Sequence, residues 1–272
     1  MPDVAEPART PQELVMTLLG SYVRPRESRR VWSGGLVALL HELGFSDGAA
    51  RIALTRLVRR GLLARHRDGR LVHYSLTPRT VALLEAGDRR IFGLGRRAEP
   101  AGTWTVLWQN IPETRRRSRE RLVRRLRFLG FGPVQDGTWL APHDREAEVL
   151  ALLAELDVAE HAGLMLGTPS AALDVRRLAG RAWDLDGLSA RYAAFVSDFG
   201  EYPRDLPDGQ AFAVRTRLVH TYREFPSLDP ELPSELIPAP GTRAAAVELF
   251  HDLYSALAPP AQRHFDRTLS TR

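Results

Sequence analysis

The chain has 272 residues, 44% hydrophobic and 26% charged, and its 38 basic residues exceed 33 acidic ones to give a net charge of +5. That length favours two or three domains over one core, and the absence of cysteine excludes disulfides, thiolate metal sites and a thiol nucleophile. Lysine is absent too, which excludes a P-loop lysine or a Schiff base and makes every basic side chain a guanidinium, whose planar fork grips phosphate and guanine edges at two points.

The first residues, Met1-Pro2-Asp3-Val4-Ala5-Glu6-Pro7, lack the basic-then-apolar order of a signal peptide, and no run reaches the roughly 18 apolar residues that span a bilayer. A cytoplasmic protein without membrane contact is expected. Positive charge is concentrated at the front: residues 1–100 hold 17 Arg against 10 Asp and Glu, 101–180 hold 11 against 10, and 181–272 hold 10 against 13.

Leu14, Val15, Leu18, Leu19 and Tyr22 recur at helical spacing and predict a first helix over about 12–24, which the arginine-rich stretch 24–30 interrupts. Ser33 is expected to cap a second helix that stops at Gly44, and Ser46-Asp47 a third that stops at Gly61. Residues 62–67 and 70–76, separated by Asp68-Gly69, form a β-hairpin pattern, and Thr77-Pro78 opens a helix to about 90.

Three short helices and a hairpin make the winged helix-turn-helix order, in which the third helix enters the DNA major groove and the hairpin lies along the backbone or minor groove. At 100° per residue, Ala50, Ala53, Leu54, Leu57 and Val58 gather on one side of the third helix, and Gly48, Arg51, Ile52, Thr55, Arg56 and Arg59 on the other. The expected DNA-binding set is Ser46, Arg51, Thr55, Arg56 and Arg59 with Arg65, Arg67 and Arg70 of the wing, its partner double-stranded operator DNA. Thr55 and Arg56 are expected at base edges, the wing arginines mainly at phosphates or in the minor groove. Outward arginines on a short helix also suit a merely solvated face. Helix order, wing and regional charge together favour DNA.

From residue 103 the pattern is β-α-β-β-α-β: strand 103–109, arginine-rich helix 113–129, strands 131–134 and 138–141 about Asp136-Gly137, helix 144–156 with Leu150, Leu153 and Ala154 inward, strand 163–167. This predicts a ferredoxin-like sheet under two helices. Helical pieces follow near 172–181, 186–200, 209–224 and 241–257, with the proline-rich stretch 226–240 before the last. The fold class expected is α+β, with domains 1–95 (winged helix-turn-helix), 96–172 (ferredoxin-like) and 173–272 (helical).

Enzymatic signals are weak. Gly93-Leu94-Gly95-Arg96-Arg97-Ala98 matches a dinucleotide fingerprint but follows a helix and runs into Glu99-Pro100, which suits a linker. Ser33 lacks the preceding glycine of a nucleophile elbow, and the pairs His143-Asp144 and His251-Asp252 lack a second histidine at ligand spacing. No catalytic residue, cofactor or metal ligand is expected. The arginine helix 115–127 admits two readings, phosphate contact with DNA or a ligand, and a solvated face paired with Glu113 and Glu120. Trp104, Trp108, Trp139 and Trp183 suit core positions or stacking on an aryl or adenine group.

The segments 14–23, 50–61 (Ala-Arg-Ile-Ala-Leu-Thr-Arg-Leu-Val-Arg-Arg-Gly), Tyr74-Ser-Leu-Thr77 and 222–233 (Tyr-Arg-Glu-Phe-Pro-Ser-Leu-Asp-Pro-Glu-Leu-Pro) resemble, in order, the PaaX family of repressors of phenylacetate-catabolism operons and their relatives. The family pattern continues with an Asp-Trp-Pro-Gly-like turn, where this chain has Ile237-Pro-Ala-Pro-Gly241. The resemblance implies a homodimeric transcriptional repressor with a winged-helix DNA reader, a central Cas2-like ferredoxin domain and a helical C-terminal domain. It also implies release from DNA by an acyl-CoA-type effector, phenylacetyl-CoA in the best-known members. An effector site is expected where the middle and C-terminal domains meet, with Arg223 beside Tyr222 as anion partner and Trp183 as a stacking surface; Arg223 alternatively pairs with Glu224 or Asp229. The Cas2 likeness raises a metal-dependent nuclease as an alternative, but the first strand ends Gln109-Asn110, without the aspartate such enzymes use. A protein-binding adaptor without DNA affinity is a third reading.

Overall fold

The computed structural model describes residues 10–23, 30–96, 102–170, 172 and 174–270. Part of the stretch 24–30, the leader through residue 9, and Arg97 and Ala98 of the glycine motif lie outside the described residues. In chain order the first elements are α1 (Pro11–Leu18), β1 (Val31–Trp32), α2 (Ser33–Glu42), α3 (Asp47–Arg59), β2 (Leu63–Asp68), β3 (Leu71–Leu76) and α4 (Pro78–Ile91). The middle holds β4 (Trp104–Gln109), α5 (Arg116–Phe128), β5 (Gly132–Gln135), β6 (Thr138–Ala141), α6 (Glu146–Glu155) and β7 (Ala162–Gly167). Then come α7 (Val175–Ala182), α8 (Leu185–Phe199), α9 (Asp208–Tyr222), α10 (Phe225–Leu228), α11 (Pro240–Ala256) and α12 (Ala258–Ser270).

These elements compact into two units, the first of Met1–Arg90, Glu201–Tyr222 and Leu249–Arg272, the second of Ile91–Gly200 and Arg223–Glu248. Residues 173–272, expected as one helical domain, are therefore shared between both.

In the first unit, Thr10 caps α1 through a reciprocal capping box with Glu13, and the helix runs on as a π-type turn over Leu19–Val23. Ser33 is the first residue of α2 and not its cap; Trp32 holds the cap position in an extended conformation without a side-chain bond. The reason is β1, which sequence did not foresee: Val31 and Trp32 pair with Tyr74 and His73, giving an antiparallel sheet of order β1-β3-β2. Gly61, at φ +66°, ends α3 because its amide bonds back to Val58 while Leu62 reaches Leu57, a closure that needs a left-handed residue.

The later helices of this unit complete its core. α12 packs along α9 and α2, burying Ala261, Phe265 and Leu269, and α9 contributes Phe212, Leu218 and Tyr222. The approach of α12 to α2 is close enough that a Cβ on Gly35 would stand 2.7 Å from Leu269 Cδ2 and 3.0 Å from Leu269 Cα.

In the second unit the antiparallel sheet has the order β5-β6-β4-β7, the ferredoxin-like arrangement, so the β-α-β-β-α-β pattern folds as expected. α5 and α6 cover one face over a core of Leu107, Leu122, Leu126, Trp139, Val149, Leu152 and Leu153. On α6 the expected inward positions are corrected: Leu150 is 52% exposed and Ala154 is exposed, while Leu153 is buried. Leucine and alanine stand all round this helix, so periodicity alone does not set its phase. The other face packs Trp104 and Leu140 against Ala179, Leu185 and Leu232. The proline-rich stretch contains α10 and a 3-10 turn, Ser234–Leu236.

Candidate functional site

The third helix begins where Ser46 accepts the Ala49 amide at 3.3 Å, so its hydroxyl serves first as the cap. Ala50, Ala53, Leu54 and Leu57 are buried against α1 and α2, which leaves Gly48, Arg51, Ile52, Thr55, Arg56 and Arg59 exposed. Thr55 donates its hydroxyl to the Arg51 carbonyl at 2.9 Å and keeps acceptor lone pairs for an outside partner. Arg51 lies 3.4 Å from Asp47, which also stands 3.6 Å from His41 Nδ1. Among the described residues, Arg56, Arg59, Arg65, Arg67 and Arg70 have no carboxylate within ion-pair distance.

On the hairpin, Arg65 pairs with Tyr74 and Arg67 with Val72 in register, so the two arginines share one face, continuing from buried Leu63. His66 occupies the opposite face, bonded to Ser75 at 2.8 Å. β2 extends through Asp68, one residue past the expected strand end and into the expected turn, and Gly69 at φ +58° with Arg70 forms the tip.

Helix and hairpin enclose an open cleft of about 410 Å³ lined by Arg51, Thr55 and Arg59 from α3 and Arg65 and Tyr74 from the sheet. Four of the eight sequence-predicted residues thus meet in one concave surface. Ser46 and Arg56 do not line it, and Arg67 and Arg70 lie further along the hairpin. Arg56 stands 100° beyond Thr55, next to Ile52, whose side chain is 56% exposed. Sequence placed Ile52 on this face without giving it a role, although an isoleucine among arginines was the signal.

The three expected effector residues are divided between the two units. Tyr222 belongs to the first unit, where it is buried and stacked on Phe250 at 3.7 Å. Trp183 and the half-buried Arg223 belong to the second unit. Of the alternative partners expected for Arg223, Asp229 lies 2.8 Å from Arg243 and accepts the Tyr192 hydroxyl at 2.7 Å, and Glu224 lies 3.8 Å from Arg191. Sequence also missed a buried polar cluster in the first unit. Arg215 is sandwiched there between the rings of Tyr254, at 3.8 Å, and Tyr22, at 5.0 Å, and donates Nε to the Tyr254 carbonyl. Burial pushes the Tyr22 hydroxyl pKa up, against the lowering effect of Arg215 and of the 3.1 Å bond to Thr216.

Much of the arginine helix is salted. Arg116 bonds Glu120, Arg119 bonds Glu113, Arg121 bonds Glu155, and Arg115 bonds the carbonyl and carboxylate of Asp157. At the end of β4, Asn110 donates its amide to the His161 carbonyl. Asp144 bonds the Glu146 amide, Asp252 bonds Arg204, and among the described residues no three His, Asp or Glu side chains gather as a metal site.

Family models match nearly the whole chain: PaaX-like protein over residues 10–80, PaaX protein central Cas2-like domain over 97–179, and PaaX-like protein C-terminal domain over 183–267. The transcriptional repressor PaaX of Escherichia coli (strain K12) is 32% identical over 262 residues, covering 91% of this chain and 80% of that protein. The solved structure of uncharacterized protein Rv0674 from Mycobacterium tuberculosis is 26% identical with a TM-score of 0.61, covering 95% of this chain and 98% of that one.

Proposed function

Because the chain belongs to the PaaX family, we propose that it is a sequence-specific, DNA-binding transcriptional repressor that acts as a homodimer in the cytoplasm. In this reading α1, α2 and α3 with the β2-β3 hairpin form a winged helix-turn-helix. α3 enters the major groove and the hairpin follows the backbone. The observation that carries it is the set of five exposed guanidinium groups on α3 and the hairpin without an ionic partner among the described residues, two of which, Arg59 and Arg65, line the cleft between helix and hairpin. An arginine that is already paired gains little from a phosphate; one that is free releases a counterion and gains a charge-assisted bond.

Roles follow from position. Arg56 and Thr55 read base edges, and Ile52 offers an apolar contact of the kind that recognises a thymine methyl. Arg65, Arg67 and Arg70 meet phosphates or the minor groove. Ser46 and Arg51 act mainly through the cap and the Asp47 pair that hold α3 in place. An acyl-CoA-type effector, as the resemblance implies, would release the repressor only by favouring the DNA-free arrangement. No catalytic step is assigned to the chain.

A gel shift with the duplex upstream of the chain's own coding sequence tests the proposal. Selective retention of that duplex over a random one of equal length is expected, and no retention of either would favour the adaptor reading instead.

A further inference from the structure

The second unit contains an open cavity of about 290 Å³, between the end of α5, the start of α8 and the segment after α10. Its wall is the half-buried indole of Trp183, held in place from three sides. The ring N–H donates to the Gly130 carbonyl at 3.2 Å, the ring meets Trp104 edge-on at 6.3 Å, and Gly132 leaves no room for a Cβ, which would lie 2.8 Å from the indole. A fixed aromatic plane at a cavity is a ready stacking surface, since little rotamer freedom remains to be lost on binding.

The charged lining has one sign to spare. Arg127 and Arg191 both line the cavity and are exposed; Arg127 has no carboxylate within ion-pair distance among the described residues, and Arg191 reaches Glu224 only at 3.8 Å. The two carboxylates of the lining are already engaged. Asp184 caps α8 through the Gly187 amide at 3.0 Å, and Asp229 is held by Tyr192, the Glu231 amide and Arg243 at 2.7, 2.7 and 2.8 Å. An anion entering the cavity therefore finds guanidinium donors to bind and carboxylates already neutralised or bonded.

Size points the same way. Ligand cavities commonly run from about 300 to 1,000 Å³, and at about 290 Å³ this one matches a single-ring molecule. We propose that the cavity is a binding site for a small aromatic carboxylate, its ring against the Trp183 indole and its carboxylate taken by Arg127 and Arg191. Any part the site plays in regulation rests on the repressor reading; the binding itself does not.

Calorimetric titration of the full chain without DNA, with benzoate, benzamide and cyclohexanecarboxylate as probes, separates the two. Benzoate is expected to bind, and its neutral and non-aromatic counterparts to bind at least about tenfold more weakly, a difference of roughly 1.4 kcal/mol. Arg127→Gln and Arg191→Gln, both at exposed positions, are each expected to weaken benzoate by about tenfold or more with unchanged circular dichroism. Benzamide binding as well as benzoate, full affinity in both arginine variants, or no heat up to about 10 mM benzoate would each overturn the proposal. None of these outcomes bears on operator binding.

Discussion

Asp208 opens α9 and faces two cations of α12, Arg263 at 2.8 Å and Arg267 at 3.4 Å. The hydrogen bond from Arg263 is the main cause that holds its carboxyl below the ordinary aspartate range, with the charges of both arginines adding to it. A carboxyl depressed in the folded state contributes stability that is fully present above the unfolded value of about 3.9 and is lost as pH falls through the folded one. Asp208→Asn is thus expected to lower the melting temperature at neutral pH, and the gap from the parent is expected to close as the pH falls well below 4. A gap that is constant from pH 7 to pH 2 would contradict the assignment.

The outward set of α3 was legible at this scale because a 3.6-residue period sorts buried from exposed positions without knowledge of the rest of the fold. Which arginines are free was not. Arg51 turns back to Asp47 one turn away, whereas Arg121 finds Glu155 on another helix, a partner that only tertiary structure supplies.

Among the elements, α12 shows what sequence reading passes over. Ala258-Pro259-Pro260 looks like a chain break, yet proline fits the first turn of a helix, where its missing N–H has no partner to lose. β1 is two residues long and depends wholly on β3 for its hydrogen bonds, so no periodicity announces it.

The close seating of α12 on α2 makes two predictions. Gly35→Ala forces a methyl against the Leu269 backbone, which cannot swing aside as a side chain can, and is expected to cost about 1–3 kcal/mol. Phe265→Ala removes a buried ring stacked on Tyr22 at 4.9 Å and is expected to cost about 3–5 kcal/mol. Urea denaturation measures both, and a Gly35→Ala midpoint equal to that of the parent would mean that α12 does not lie as close to α2 as described.

For the whole molecule, the ferredoxin-like sheet was readable from contiguous β-α-β-β-α-β order, but the sharing of residues 173–272 between two compact units was not. Sequence patterns record which face of a helix is apolar and say nothing of which distant element will cover it. α9 and α12 meet α1 and α2 some 200 residues away along the chain, as the Thr17–His220 and Glu42–His264 bonds record.

A homodimer with one reading helix per copy is expected to bind an inverted repeat whose half-sites recur at one or two helical turns, about 10.5 or 21 base pairs apart. Footprinting checks this, and protection of a single asymmetric half-site would remove the dimer from the account.

The central claim, that α3 reads sequence while the hairpin grips the backbone, is tested most directly by the salt dependence of binding for Arg56→Ala and Arg67→Ala on operator and random duplexes. Arg56→Ala is expected to cost about 1–3 kcal/mol on the operator and far less on random DNA; Arg67→Ala is expected to weaken both alike and to flatten the salt slope by about 1. Equal losses on the two duplexes for Arg56→Ala, with an unchanged slope for Arg67→Ala, would contradict it.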